Sequence, residues 1–360
     1  MRQDEAMQKL KILIINPGST STKIALFQGN QPVISQTLGH TDQELSVSKK
    51  VLDQLGMRER AVRNFIDENL ISGIDAVAGR GGLLRPLQGG TYMVNANMCR
   101  DLEEARYGEH ASNLGPILAR RFGDIFCVPA YIVDPVTVDE YERSSRISGV
   151  PGIERKCRTH ALNIKSVSRR CAKDMGKDIE NTTFIVAHLG GGISVCALEG
   201  GRIIDSTDAL LGEGPFSMAR AGTLPLAGVV DFCFDKGLSK KEVLSLFSRQ
   251  SGFKGYICTD RFPEVLDRIH AGDKQAIRIF EAMVMQTVKW IGGMIALVKG
   301  KTDAVIITGG MANSQQLTNA LCTHISPLAE VRLYPGEFEM EALAEGVLRV
   351  LQKSEASLEY

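Results

Sequence analysis

Two segments of the chain share one grammar: an apolar strand, a turn of small residues, an alternating strand and a glycine turn. The first is "ILIINPGSTSTKIALFQGNQ" and the second "FIVAHLGGGISVCALEGGRI". Asn16 and His188 take corresponding places 172 positions apart, as do Gly29 and Gly201. A strand–turn–strand unit that recurs once points to two related α/β halves. Halves that each present a small-residue turn imply a cleft with one anion-binding loop on each wall. Duplication of a purely structural unit would leave the same trace. The length agrees, since 360 residues exceed one ordinary core and fit about two domains.

Strand-like runs alternate with helical ones along the whole chain, as α/β layering requires. Residues 42–71 read as helix, "IDAVAG" (74–79) as a short buried strand, and 96–107 and 112–122 as helices. "IFCVPAYIVD" (125–134) reads as a strand, 159–175 as a helix, and 225–300 as mostly helical. "DAVIITGG" (303–310) is a strand entering a glycine turn, and 336–352 is a closing helix. The apolar stretch 282–298 is broken by Lys289 and a glycine pair, so it reads as a buried helix and not as a membrane span. The charged N-terminus with its four-residue apolar run does not read as a signal peptide. Lys+Arg and Asp+Glu both number 42, which gives no electrostatic pointer to nucleic acid or an anionic membrane. The eight cysteines are scattered without zinc spacing and read as reduced thiols of a cytoplasmic protein.

Gly18 permits a tight turn after β-like residues 12–16, and Ser19, Thr20, Ser21 and Thr22 add small rotating donors. That composition suits a turn wrapped around an anion, although a plain hairpin would use the same residues. No G-x-x-x-x-G-K-[ST] occurs, which excludes a P-loop, and no G-x-G-x-x-G follows a strand. H-E-x-x-H and G-x-S-x-G are missing as well. A third turn, "VIITGGMANSQQL" (305–317), ends a strand at Gly309 and Gly310, with Asn313 or Ser314 as cap of the next helix. A flat glycine pair at a helix N-terminus lets a nucleotide lie against bare backbone.

Three such turns in this order resemble the actin-like ATPase superfamily of actin, Hsp70 and sugar kinases. Within it, "GRGGLLRPLQGGTYMVN" (79–95), "VDPVTVDE" (133–140), "THALN" (159–163) and "MARAGTLPL" (218–226) resemble the acetate/butyrate kinase family, on its butyrate side. The resemblance covers nearly the whole chain. It implies duplicated actin-like (ribonuclease H-like) α/β domains with an active-site cleft between them. Residues 1–182 with the closing helix 338–360 would form the acyl-substrate side, and 183–337 the nucleotide side. The implied reaction is reversible, ATP-dependent phosphorylation of butyrate or a similar short-chain acid by direct in-line transfer. ATP or ADP and Mg2+ are the implied cofactors, and a homodimer or higher homo-oligomer the implied assembly.

A carboxylate nucleophile is already ionised at neutral pH, so such a reaction needs no general base. Its barrier is repulsion between two closing anions, which calls for cations and positioning. By resemblance, Arg80 and Arg220 are the active-site arginines; a guanidinium fork can bridge both anions. Arg80 stands between two glycines and covers no apolar surface in the pattern, whereas Arg85 divides evenly between site rim and surface. Asp134 matches a magnesium-site carboxylate, yet an Asp before a Pro is also an ordinary turn residue. Asn16 would hold the phosphate or magnesium end, and Glu339 or Glu341 the metal, the register leaving both open. His160 matches an active-site histidine. Lys156 stands where acetate kinases carry a phosphoryl-stabilising histidine, and either takes over its charge or leaves the contact absent. Ser19, Thr20, Ser21, Lys23, His188, Gly190, Gly191, Gly192, Gly309, Gly310 and Asn313 complete the implied nucleotide site. Lys23 would equally serve as a solvated strand-edge lysine, and Gly191 replaces an acetate-kinase Asn, which leaves more to backbone amides. The glycines around Leu83 and Leu84 are candidates for opening a pocket for the acid's alkyl tail. A nucleotide-gated scaffold and a sugar or polyol kinase share the turns. The former lacks room for its extra domains, and the latter needs a carboxylate base, for which Asp134 is available.

Overall fold

A computed structural model describes residues 10–46 and 50–360. Two compact units emerge, one ending at Val138 and completed by Phe338–Tyr360, the other formed by Asp139–Glu337. The first contains β1 (Lys11–Pro17), β2 (Ser21–Gln28), β3 (Gln31–Gly39), β4 (Ala76–Arg80), β5 (Thr91–Met93) and β6 (Ala130–Val133) in the order β3-β2-β1-β4-β6-β5. The second contains β7 (Thr183–Leu189), β8 (Ile193–Glu199), β9 (Arg202–Ser206), β10 (Ala304–Gly309) and β11 (Val331–Pro335) in the order β11-β10-β7-β8-β9. Each sheet is an antiparallel three-strand meander followed by two strands parallel to its first strand, and the first sheet adds β5 antiparallel at its edge. Matching β1, β2, β3, β4 and β6 with β7 to β11 makes the two orders identical, with β5 left over at the edge of the first sheet. β1 and β7 are both seven residues long and offset by 172 positions, and Asn16 and His188 are each the last residue but one. The hairpin turn after β8 arrives one position early, so Gly200 (φ 56°), and not Gly201, follows its strand as Gly29 (φ 57°) follows β2.

The central strands are apolar without alternation because both their faces are covered. Ile12, Leu13, Ile14 and Ile15 are all fully buried, as are Phe184 to Ala187. Helix Leu114–Phe126 lies on β4 backbone to backbone. A Cβ on Gly79 would strike the Gly115 carbonyl, and one on Gly115 would strike that of Arg80. This close approach sets the end of β4, where Arg80 leaves the sheet. The closing helix Glu339–Leu351 buries Ala342, Leu343, Ala344, Val347 and Leu348, with Gly346 against Val133 of β6.

Two expectations change. The run 125–134 is not one strand: Ile125 and Phe126 finish the helix, Cys127 stops it in the left-handed conformation (φ 55°), and β6 begins only at Ala130. An apolar run of this length fits a helix end as well as a strand, and the continuing Ile117–Leu118–Phe122 stripe decides for the helix. The division between units falls at Val138, ahead of the expected residue 182. The reason is polar: Tyr141 donates to the Ser206 carbonyl (2.8 Å), and Arg155 pairs with Asp205 (2.6 Å), which ties the segment to β9. Helical residues around 42–71 are found at Asp42–Ser46, Val51–Gln54 and Leu55–Glu68, residues 47–49 lying outside the described ones. The N-terminal residues 1–9 also lie outside them. The stretch 282–298 falls mostly within the helix Lys274–Leu297, whose Met283, Val284, Ile291 and Met294 are core. Among the described residues no helix is long and apolar enough to cross a membrane.

Candidate active site

In the first unit the turn between β1 and β2 is closed by Gly18 N–H donating to the Ser21 carbonyl (2.8 Å). Ser19 and Thr20 are exposed at its tip, and Lys23 on β2 faces Asn16 across the ladder. Behind the turn lies Arg58, fully buried. Its Nη1 donates to the Ser21 carbonyl and Thr22 Oγ1, and its Nη2 to the Gly18 carbonyl, each at 2.9 Å. Sequence reasoning missed this residue. The signal was present, since Arg58 lies on the apolar stripe of its helix with Leu55, Val62, Phe65 and Ile66.

Arg80, at the end of β4, closes its fork on Glu339, the first residue of the closing helix. Nη2 lies 2.8 Å from Oε1, and Nη1 donates to Oε2 at 3.0 Å. Asn16 Nδ2 donates to the same Oε2 at 2.8 Å, while the buried Asn16 Oδ1 has no hydrogen-bond partner. Of the two glutamates, Glu339 meets Asn16 and Arg80, and Glu341 contacts no described residue through an ion pair or hydrogen bond. Asp134 follows β6 with φ 38° while only 2% exposed, and its Oδ1 accepts from Gly90 N–H at 2.8 Å. A buried non-glycine residue held in that conformation carries backbone strain. Arg85 is exposed and stacks over the Tyr360 ring at 4.5 Å. Gly81 abuts Pro135, Gly82 abuts Asn113, and Leu84 is core at 1% exposure, so Gly81 and Gly82 serve close packing.

The second unit gathers the central turn. His188 Nδ1 contacts Asn163 Oδ1 (3.2 Å), and its ring stacks on that of His160 at 4.0 Å with 12° between planes. His160 stands at the N-terminus of helix Ala161–Asp174 and contacts Ser194 Oγ through Nδ1 (2.9 Å). Gly190 N–H donates to the Gly192 carbonyl (3.1 Å), and Ser217 Oγ to that of Gly191 (2.7 Å). Arg220 reaches this turn, because a Cβ on Gly192 would collide with its guanidinium, which also donates to the Ala209 carbonyl. Burial draws the Arg220 pKa down and the Asp208 carboxylate opposes that shift.

Asn163 links the central turn to the third, accepting from Thr308 Oγ1 (3.2 Å) on β10 and donating to the Glu337 carbonyl. Gly309 (φ 93°) lies so near Leu189 that a Cβ would strike its backbone, a position only glycine fills. Gly310 follows, its carbonyl accepting from Asn313 Nδ2 (2.9 Å), while Ser314 caps helix Gln315–Ile325. Asn163, Ser194, Ser217 and Thr308 went unassigned in the sequence because small polar residues carry no pattern of their own. Lys156 is exposed and makes no ion pair or hydrogen bond with a described residue.

The doubled strand order and the turn that follows the first strand of each meander define an actin-like ATPase fold. The chain belongs to the acetokinase family, whose model matches residues 147–332. It is 45% identical over 351 residues to a protein of Listeria monocytogenes serotype 4b named probable butyrate kinase, covering 97% of this chain and 99% of that one. It is also 45% identical over 354 residues to butyrate kinase 2 of Clostridium acetobutylicum, covering 98% and 99%. The structure of Porphyromonas gingivalis acetate kinase superposes with a TM-score of 0.77 at 18% identity, over 95% of this chain and all of that one.

Proposed function

We propose that the chain transfers the γ-phosphoryl group of ATP to the carboxylate of butyrate or a similar short-chain acid, reversibly and by direct in-line displacement. The observation that carries this reading is the Arg80 fork, closed on a carboxylate at 2.8 and 3.0 Å. A guanidinium already shaped around one carboxylate can hold another of the same form. In this reading Arg80 grips the acid and Arg220 the transferring phosphoryl group, with His160 and Lys156 as further cationic or donor groups beside it. The turns Asn16–Lys23 and His188–Gly192 take the phosphates, and Gly309, Gly310 and Asn313 the adenosine end. Lowering of the repulsion between the two anions is then the main catalytic effect.

The residues present fit a magnesium ion. Among the described residues no three His, Cys, Asp or Glu side chains form a metal cluster. Magnesium, however, keeps several waters and takes one or two carboxylates plus phosphate oxygens. Asn16 Oδ1, a buried acceptor without a partner, and the adjoining Glu339 carboxylate suit that demand, with Asp134 acting through water. When bound, the metal would neutralise phosphate charge.

The test is acyl hydroxamate formation with Mg-ATP across acetate, propionate, butyrate, isobutyrate and valerate. Each buried CH2 contributes about 0.8 kcal/mol, so butyrate should exceed acetate by roughly 15-fold in kcat/KM. A maximum at acetate would refute the butyrate assignment, and no acyl phosphate from any acid would refute the kinase.

We also propose that the enzyme works in the cytoplasm as a homodimer or higher homo-oligomer. Helices Leu226–Lys236 and Lys240–Arg249 bury none of their residues within the chain, and Leu226 (76% exposed) and Phe234 (83%) share one face with Val230. A second copy covering that face would account for it. Light scattering should give a multiple of 39.2 kDa, and Phe234→Glu should weaken association by at least roughly 30-fold. A monomeric wild type would end this proposal.

A further inference from the structure

Arg58 is the one large charged side chain among those buried most completely. Its position is unusual in what surrounds it. Nε and Nη2 donate to Gln54 Oε1 (3.2 and 2.9 Å), and the other contacts go to the carbonyls of Gly18 and Ser21 and to Thr22 Oγ1. Thr22 Oγ1 in turn contacts His40 Nε2 at 2.8 Å. Among the described residues no carboxylate pairs with Arg58. Burial without an ion-pair partner lowers its pKa to about 10, which still leaves it charged at neutral pH. Burying a cation without a counter-charge is costly, and neutral carbonyls offset that cost only in part. Drawing the Gly18 and Ser21 carbonyls inward also leaves the exposed tip, Ser19 and Thr20, free of those two acceptors. The turn is thus backed by positive charge, with the Gly18 and Ser21 carbonyls held toward Arg58.

We infer that Arg58 is a positioning residue for the nucleotide: it shapes the Gly18–Thr22 turn and supplies the positive field that holds ATP phosphate there, the phosphate serving as the missing counter-charge. This rests on the proposed placement of the phosphates at that turn. Arg58 does not touch the reacting atoms, being sealed beneath the turn.

Arg58→Gln removes the charge and keeps polar contacts, whereas Arg58→Lys keeps the charge and loses the fork. A charge acting over one turn in a partly desolvated site changes affinity by about tenfold or more. Arg58→Gln should therefore raise the ATP Kd and the ATP KM about tenfold, leave the KM for butyrate and the affinity for adenosine unchanged, and be largely rescued by Arg58→Lys. A purely structural role would show as equal damage in both variants and in adenosine binding, and would overturn the inference. Should Arg58→Gln fail to fold, wild-type amide exchange decides. Mg-ATP should slow exchange at residues 18–22, and tetrasodium pyrophosphate should do so with less protection as salt rises. Protection of the turn together with an unchanged ATP Kd in Arg58→Gln would sink the inference alone. Absence of protection in an enzyme that still forms acyl phosphate would sink the phosphate placement and the inference with it.

Discussion

Replacing Arg80 or Arg220 by alanine should lower kcat by ~10²–10³ while changing ATP affinity little. A preorganised donor aimed at charge that develops in the transition state is worth about 2.7–4 kcal/mol. Both arginines are set for such work. Arg80 is aligned by the Gly79–Gly115 contact and by the Glu339 carboxylate, and Arg220 lies against Gly192 of the central turn. The measurement is steady-state kinetics on folded variants with ATP binding by calorimetry. Near-wild-type turnover in either variant would assign that arginine to the protein's structure and not to the reaction. Lysine substitution should not restore Arg80, since a point charge cannot reproduce two parallel bonds to one carboxylate.

The largest stability effect is expected at Lys165. Its Nζ lies 2.9 Å from both Glu140 oxygens and donates to the Gly201 carbonyl at 2.9 Å, with side chains 5% and 4% exposed. Glu140 Oε2 also accepts from Ile203 N–H at 2.8 Å. Lys165→Met would remove the cation that lies against both oxygens of this buried carboxylate, at a cost of about 3–5 kcal/mol. The pair Glu140→Gln with Lys165→Met should recover most of that loss, because no charge is then left buried. Thermal unfolding of both variants tests this. A loss below about 1 kcal/mol in the single variant would mean that water reaches the pair.

The repeat, the α/β class and the family were legible in the sequence because their signals are local. Apolar strands 11–17 and 183–189 need no partner to be recognised, and the turns that follow them are short runs of small residues. β5 and β11 went unseen because one is three residues long and the other keeps no buried face in its pattern. Helix Leu114–Phe126 extended into a run that periodicity alone reads either way.

What the amino-acid order determined by itself was therefore the grammar: two copies of a strand–turn–strand unit, a glycine pair after a third strand, and arginines flanked by small residues. The tertiary structure decided every relation between distant positions. It paired Arg80 with a glutamate 259 positions away, Glu339 and not Glu341, and packed Pro135 and Asn113 against the glycines after Arg80. It also placed Arg58 beneath a turn 40 positions earlier in the chain. The physical reason is the range of the forces. Strand and turn preferences act over a few residues and are written in them, whereas a side chain's hydrogen-bond partners and burial arise only once the sheet and its helices have closed around it.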